Sequence, residues 1–351
     1  GTTALFTARI NDVAGYTTFG TASNDTLQID IRTPVIDSIR IESSNNDSSK
    51  AKGGDTVFVK FLVQEDLMTD SGSTTILIAG VIANYIEVED DIYNFFKKMD
   101  TSDVQGVVSF SIKPMDLAGN LGSVRNQSTD GSRVIYDYTP PFINHIYEGS
   151  FVEDKDYIPS KDSLRLGIDG GDLLSGLSGF NFSLGYEPGI DDVIDWKIST
   201  DGNVDILVAD LSLSTQPLIN DQRYYASARA IDFAGNESVI ISGDGFLVDE
   251  DPPTKGTIND GFLDDGPEPD WTFDSTSLDV HWYGFKDDSI SQGLIGSYEL
   301  SVFYEDTGNT IEVLDWFTID TLADSATITG LALQRNTEYF VKIRAVDMAG
   351  H

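Results

Sequence analysis

The chain of 351 residues contains no cysteine, which excludes disulfides, thiolate nucleophiles and thiolate metal sites and leaves the redox compartment open. Basic residues are scarce: 22 Lys and Arg stand against 58 Asp and Glu, a net charge of −36. A nucleic acid needs a basic footprint on its phosphates, so nucleic-acid binding is excluded, and so is attraction to an anionic membrane surface. No apolar run is long enough to span a bilayer, no signal peptide with its short apolar core is present, and direct membrane insertion of this segment is excluded. With no initiator Met either, the chain reads as part of a longer protein. Histidine occurs three times, as His145, His281 and His351, without the spacing to a Ser and a third group that a nucleophile–base–acid set requires. Their positions, one just after a linker, one on the outward phase of a strand and one at the chain end, predict solvent-exposed spectators. Gly53-Gly54 and Gly170-Gly171 read as turns with no helix after them, so no phosphate loop is expected.

What is present is β structure. Hydrophobic residues make up 40% and aromatic residues 11% of the chain, enough for packed cores of about a hundred residues each. Leu278-Asp-Val-His-Trp282 and Val57-Phe-Val-Lys-Phe-Leu-Val63 alternate with period two, and clusters of Gly, Asp, Ser and Asn separate such runs. No long stretch has a 3.6-residue period.

One short pattern recurs: Asp12-Val-Ala-Gly, Asp116-Leu-Ala-Gly, Asp232-Phe-Ala-Gly and Asp347-Met-Ala-Gly, with aspartates 104, 116 and 115 residues apart. That period suits a whole small domain rather than a solenoid unit. About twenty residues after each of the first three copies comes a proline, at Pro34, Pro140-Pro141 and Pro252-Pro253, entered by an acidic strand end. Proline donates nothing to a ladder and keeps the preceding residue out of the helical region, so these are domain junctions. The expected division is 1–34, the last strands of a truncated domain; 35–140; 141–252; and 253–351, a domain lacking its last strand. Counting back in twos from each aspartate gives inward sets: Tyr339, Val341, Ile343 and Ala345; Tyr224, Ala226, Ala228 and Ala230; Val108, Phe110 and Ile112; Ala4, Phe6, Ala8 and Ile10.

Leu278-x-x-x-Trp282, then Tyr298, then Leu333-Gln-Arg-Asn-Thr-Glu-Tyr339 resembles a fibronectin type III domain, and Leu218-Ile-Asn-Asp-Gln-Arg-Tyr224 repeats its corner, with Leu164-Arg-Leu166 where the Trp would be. Lys52-Gly-Gly-Asp-Thr56, Ile76-Leu-Ile-Ala-Gly80, Gly106-Val-Val-Ser-Phe-Ser-Ile112 and Thr129-Asp-Gly-Ser132 resemble a bacterial Ig-like repeat of large surface proteins, with Val108 where the corner Tyr would stand. The resemblance implies an all-β fold of tandem Ig-like and fibronectin type III-like sandwiches in a linear array, and a corner Tyr whose hydroxyl bonds the backbone. It also implies an extracellular, cell-surface location and no chemistry of its own.

In such a sandwich the loops after the second and the penultimate strands lie at the pole where the chain enters, so acidic groups from three segments should converge there. The candidates are Asp30, Glu65, Asp66 and Asp116; Asp137, Asp169, Asp172 and Asp232; and Asp249, Glu250, Asp251, Asp287, Asp288 and Asp347. Calcium takes six to eight oxygens from irregular loops, which makes Ca2+ the expected ion. The competing reading is that the Asp-x-Ala-Gly aspartates serve their own turns, with the glycine at positive φ. Asn24, Asn46, Asn126, Asn181 and Asn236 begin Asn-x-Ser/Thr triplets, Asn181 within a strand. Trp271, Tyr283, Tyr304 and Trp316 could stack on a sugar ring or belong to core and rim. The expected function is a non-catalytic structural segment of an adhesin stalk, surface layer or filament, with neighbouring copies or other surface proteins as partners. The alternative is a spacer or carbohydrate-binding array of a secreted polysaccharide-degrading enzyme, with glycans as partners.

Overall fold

The computed structural model describes the chain except for residues 1, 5–8, 12, 15–16, 20–26, 71, 208–217, 262–270, 288–293 and 320–322. Every regular element among the described residues is a β-strand. The chain divides into two compact units, the first made of Gly1–Pro141, Asp172–Ser178 and Ile231–Glu237, the second of Phe142–Gly171, Gly179–Ala230 and Ser238–His351.

In the first unit, an antiparallel sheet runs in the order Asn84–Glu89, Ile92–Lys98, Thr56–Val63, Ile36–Ser43. The period-two segment forms the strand Thr56–Val63 and buries Val57, Val59, Phe61 and Val63. Phe61 stacks with both Tyr93 and Phe95 of the neighbouring strand, at 5.6 and 6.0 Å. Val108, Phe110 and Ile112 join the same core, as their phase predicts. With Val108 at the corner position, other tyrosines supply the backbone bonds: the Leu67 amide donates to the Tyr93 hydroxyl at 2.7 Å, and the Tyr136 hydroxyl donates to the Asp100 carbonyl at 2.7 Å. The free edge of Ile36–Ser43 is closed by the Thr129-Asp-Gly-Ser132 loop, whose Thr129 and Ser132 hydroxyls accept from the Ile39 and Ile41 amides, which removes an edge open to another strand. Before Pro34, Thr2–Ala4 pairs with Leu27–Ile29 and Arg9–Asn11 with Thr17–Phe19. Asp12, Asn24 and, of the first inward set, Phe6 and Ala8 lie outside the described residues.

In the second unit, Phe142–Glu148, Ser163–Gly171 and Asn203–Leu207 form one sheet, and a second runs through Tyr157–Ile158, Phe246–Val248, Arg223–Asp232, Leu177–Gly185 and Ile194–Ser199, with only the strand ends Ile231–Asp232 and Leu177–Ser178 falling in the first unit. Tyr224, Ala226, Ala228 and Ala230 are buried, as the alternation predicts. Gly170 and Gly171 end a strand rather than form a turn: a Cβ at Gly170 would meet the Phe142 carbonyl at 2.4 Å, so glycine is what lets the partner strand approach. Asn181 lies in a strand, as expected.

Further along the chain, Thr257–Asp260, Ser277–Tyr283 and Ser325–Thr329 make one sheet, and Asn309–Ile319, Ile295–Asp306 and Tyr339–Asp347 another. Val280, Trp282, Leu300, Val302, Ile328 and Leu331 form the core between them, with Tyr339, Val341 and Ile343 packed against it. Both corner tyrosines bond as the resemblance implies, the Ile219 amide donating to the Tyr224 hydroxyl at 2.8 Å and the Gln334 amide to the Tyr339 hydroxyl at 2.7 Å.

Two of the three histidines depart from the expected exposure, and His145 keeps to it. His281 is buried, its Nδ1 2.8 Å from the Gly261 carbonyl and its Nε2 3.3 Å from Asn259 Nδ2, because the adjoining strand covers the outward face at this point. His351 lies with its Nδ1 3.2 Å from Asp347 Oδ2. His145 keeps about half of its side chain exposed, with Nε2 3.5 Å from Asp154 Oδ2.

Candidate metal centres

Each Asp-x-Ala-Gly copy among the described residues is first a turn. Asp116 Oδ1 accepts from the Ala118 and Asn120 amides, Asp232 Oδ1 from the Asn236 amide, and Asp347 Oδ1 from the Gly350 and His351 amides. Gly119, Gly235 and Gly350 take φ of 88°, 85° and 97°, a region that Gly enters without a Cβ penalty. These bonds hold each carboxylate at the loop base, aimed by its own backbone.

Three groups of carboxylates gather around these turns, each with ligand atoms within 4.8 Å of one another: Asp30, Glu65 and Asp116; Asp137, Asp172 and Asp232; Asp249, Asp287 and Asp347. Each joins one acid from just before a proline to one from each of two loops. In the first group, burial and then the charges of Asp116 and Asp30 raise the Glu65 pKa. Burial also works against Asp116, yet the donors from Asn120, Ala118 and Gly119 outweigh it and hold that carboxyl below its usual value. In the second group, burial raises Asp232 despite bonds from Asn236, and the neighbouring Asp137 and Asp172 add to the rise. Asp137 is nonetheless well supplied, Oδ1 accepting from the Thr139 amide and Oδ2 from the Ser175 amide, both at 2.9 Å.

The third group differs. Asp249 is 1% exposed, and among the described residues its Oδ2 is buried without a hydrogen-bond partner, while Oδ1 accepts a 3.2 Å bond from the Asp251 amide. Burial, with Asp287 and Asp347 beside it, raises its pKa. A buried oxygen with no donor, facing two more carboxylates, is the arrangement a hard cation resolves.

The other sequence candidates are engaged elsewhere or stand apart from these groups. Glu250 pairs with Lys161 at 2.6 Å, Asp251 accepts from Asn220 Nδ2 at 2.7 Å, and Asp169 accepts from Asn144 Nδ2 at 3.0 Å. Asp66 is exposed, and Asp288 lies outside the described residues. A fourth group, Glu148, Asp154 and Asp244, was not legible in the sequence. Glu148 is fully buried and accepts from the Ala226 and Gly245 amides at 2.7 Å each. Burial pushes its pKa up to about 7 against those two donors, with Asp154 and Asp244 adding to the rise. An apolar strand ending in one Glu, Phe142–Glu148, was the available signal.

No helix among the described residues is long and apolar enough to cross a membrane. No protein-family model matches the chain, and no curated protein does. Among solved structures it is similar to a 1.5-MDa bacterial ice-binding adhesin, with 17% identity over 92% of this chain and 95% of that one and a TM-score of 0.36. It is similar also to a Ca2+-stabilized adhesin of an Antarctic bacterium, with 15% identity over 97% and 80% and a TM-score of 0.33. Fibronectin(III)-like modules of Clostridium thermocellum CbhA match at 10% identity over 60% and 94%, with a TM-score of 0.31. With every one of these TM-scores below 0.5, the likenesses have no bearing on function. The solved structures the chain is similar to include tandem fibronectin type III and Ig-like domains and bacterial adhesin repeats.

Proposed function

We propose that this chain is a non-catalytic structural segment of a large extracellular surface protein, whose domains at 35–140, 141–252 and 253–351 act as spacers. The segment before Pro34 closes a preceding domain, and the partners are neighbouring copies or other surface proteins. Calcium at the three carboxylate groups fixes the proline-bearing linkers. One observation carries the reading: a carboxylate just before each proline meets two loop carboxylates, and at Asp249 one buried oxygen has no protein donor. Three acids packed this closely repel one another, and a cation that takes several oxygens turns the repulsion into a tie between linker and loops. The donors fit a hard cation, being carboxylate oxygens in a chain that contains no thiolate.

Limited proteolysis tests the spacer reading. With chelator present, cleavage at Thr33-Pro34, Tyr138–Pro141 and Asp251–Pro253 should release resistant fragments of about a hundred residues, the size of single domains, and calcium should protect those sites. Cleavage inside the proposed domains, or an unchanged pattern with calcium, would refute it.

A further inference from the structure

The sheet of Asn309–Ile319, Ile295–Asp306 and Tyr339–Asp347 turns Tyr298, Leu300, Val302, Val341 and Ile343 to its core. Strand alternation then sends Ser301, Phe303, Phe340, Lys342, Arg344 and Trp316 to the opposite face. There they make an open groove of about 180 Å3 lined by Ser301, Phe303, Thr310, Glu312, Trp316 and Lys342. Phe303 and Phe340 stack at 5.3 Å, Lys342 Nζ stands 4.1 Å from the Phe303 ring centre, and the Arg344 guanidinium stands 4.6 Å from that of Trp316. Arg344 is also paired with Glu299. Trp316 and Phe340 remain 36% and 43% exposed.

We propose that this groove binds a neutral glycan. The chemistry separates it from the rest of the surface. On a chain of net charge −36, this face offers aromatic rings between polar groups, with the cations Lys342 and Arg344 set among the carboxylates Glu299, Glu305 and Glu312. A hexose has apolar C–H faces that pack on rings and a rim of hydroxyls that donate and accept, so it matches rings flanked by Ser301, Thr310, Glu312 and Lys342. An anionic glycan would meet the charge of the whole chain and find both cations already committed to rings, Arg344 to a carboxylate as well. An apolar peptide would strand the polar lining without partners. The groove lining contains no member of the four carboxylate groups described above, so its test is separate from that of calcium.

The experiment is calorimetric titration of the full chain, in chelator, with cellohexaose, xylohexaose, mannohexaose and chitohexaose as neutral probes and polygalacturonate as the anionic one. At least one neutral probe should bind with a Kd of ~1 mM or tighter. Trp316→Ala should weaken that affinity ~tenfold, Trp316→Phe should restore most of it, and Trp271→Ala, an exposed ring outside the groove, should leave it unchanged. Thermal melting of each variant shows whether the fold is kept. No heat from any neutral probe, binding of polygalacturonate alone, affinity untouched by Trp316→Ala, or equal loss on Trp271→Ala would each overturn the proposal.

Discussion

Asp232 and Asp347 close the same turn at the ends of the strands Arg223–Asp232 and Tyr339–Asp347, yet their surroundings diverge at the fifth residue. Asn236 donates its amide to Asp232 Oδ2 at 2.8 Å and to the Asp137 carbonyl at 3.0 Å, tying the loop to the segment before the proline. Asn120 does the same between Asp116 Oδ2 and the Asp30 carbonyl. His351 stands in that place after Asp347, its Nδ1 beside Asp347 Oδ2, and makes no hydrogen bond to the segment before the proline among the described residues. The acid before the proline diverges in step: Asp137 accepts on both oxygens, whereas Asp249 Oδ2 has no donor. One sequence frame thus yields a group largely satisfied by protein donors and a group in which, among the described residues, one buried carboxylate oxygen has no donor, the place our proposal gives to an ion.

The largest effect should come from calcium itself. At a hundredfold excess over its Kd, one site adds about 2.7 kcal/mol to the folded state, so chelation should lower the melting temperature. Amide exchange should accelerate more at 249–251 and 347–350 than at 137–139 and 232–236. Equal acceleration would erase the contrast.

Glu148 provides a carboxylate governed by protons. Its folded pKa, raised from 4.5 to about 7, means that the folded chain holds a proton the unfolded chain releases. The stability this supplies is complete below about pH 4.5 and is lost as pH rises through 7, on the order of 2–3 kcal/mol across that window. In melts from pH 4.5 to 8, Glu148→Gln should flatten the decline, and an undiminished slope would contradict this account of its burial.

Exchanging one oxygen for an amide sharpens the comparison further. Asp249→Asn relieves an unpartnered buried charge, so in chelator it should raise stability by ~1 kcal/mol, and in calcium it should lower it. Asp137→Asn takes an acceptor from an amide that uses it, and should lower stability by ~1 kcal/mol in both media. Matching behaviour of the two variants in thermal melts would break the distinction. The smallest effect concerns the bridge: Asn236→Ala should cost ~1 kcal/mol and His351→Asn should gain ~0.5 kcal/mol by importing it, both read from chemical denaturation.

What the sequence made legible was local or periodic. Phase counted back from the aspartates placed Tyr224, Ala226, Ala228 and Ala230 inward, and the fibronectin-like corner implied a Tyr hydroxyl on the backbone, which the structure places on amides five residues before Tyr224 and Tyr339. Sandwich topology singled out the segments whose acids meet, although Asp66, Asp169, Glu250 and Asp251 point to other partners or to solvent. Long-range pairings were hidden. Glu148 meets amides 78 and 97 residues away, and His281 is covered by a neighbouring strand that alternation within its own strand does not reveal. Lys97, on the buried phase of Ile92–Lys98, is neutralised by Asp103 at 2.5 Å, across a turn with no signature of its own.

Calcium titration of the full chain by calorimetry, with Asp249→Asn alongside, tests the central claim most directly. Saturable uptake at ~0.1–1 mM, the range of extracellular calcium modules, with one site fewer in the variant, is the predicted result. No saturable heat at millimolar calcium, or identical uptake by the variant, would contradict it.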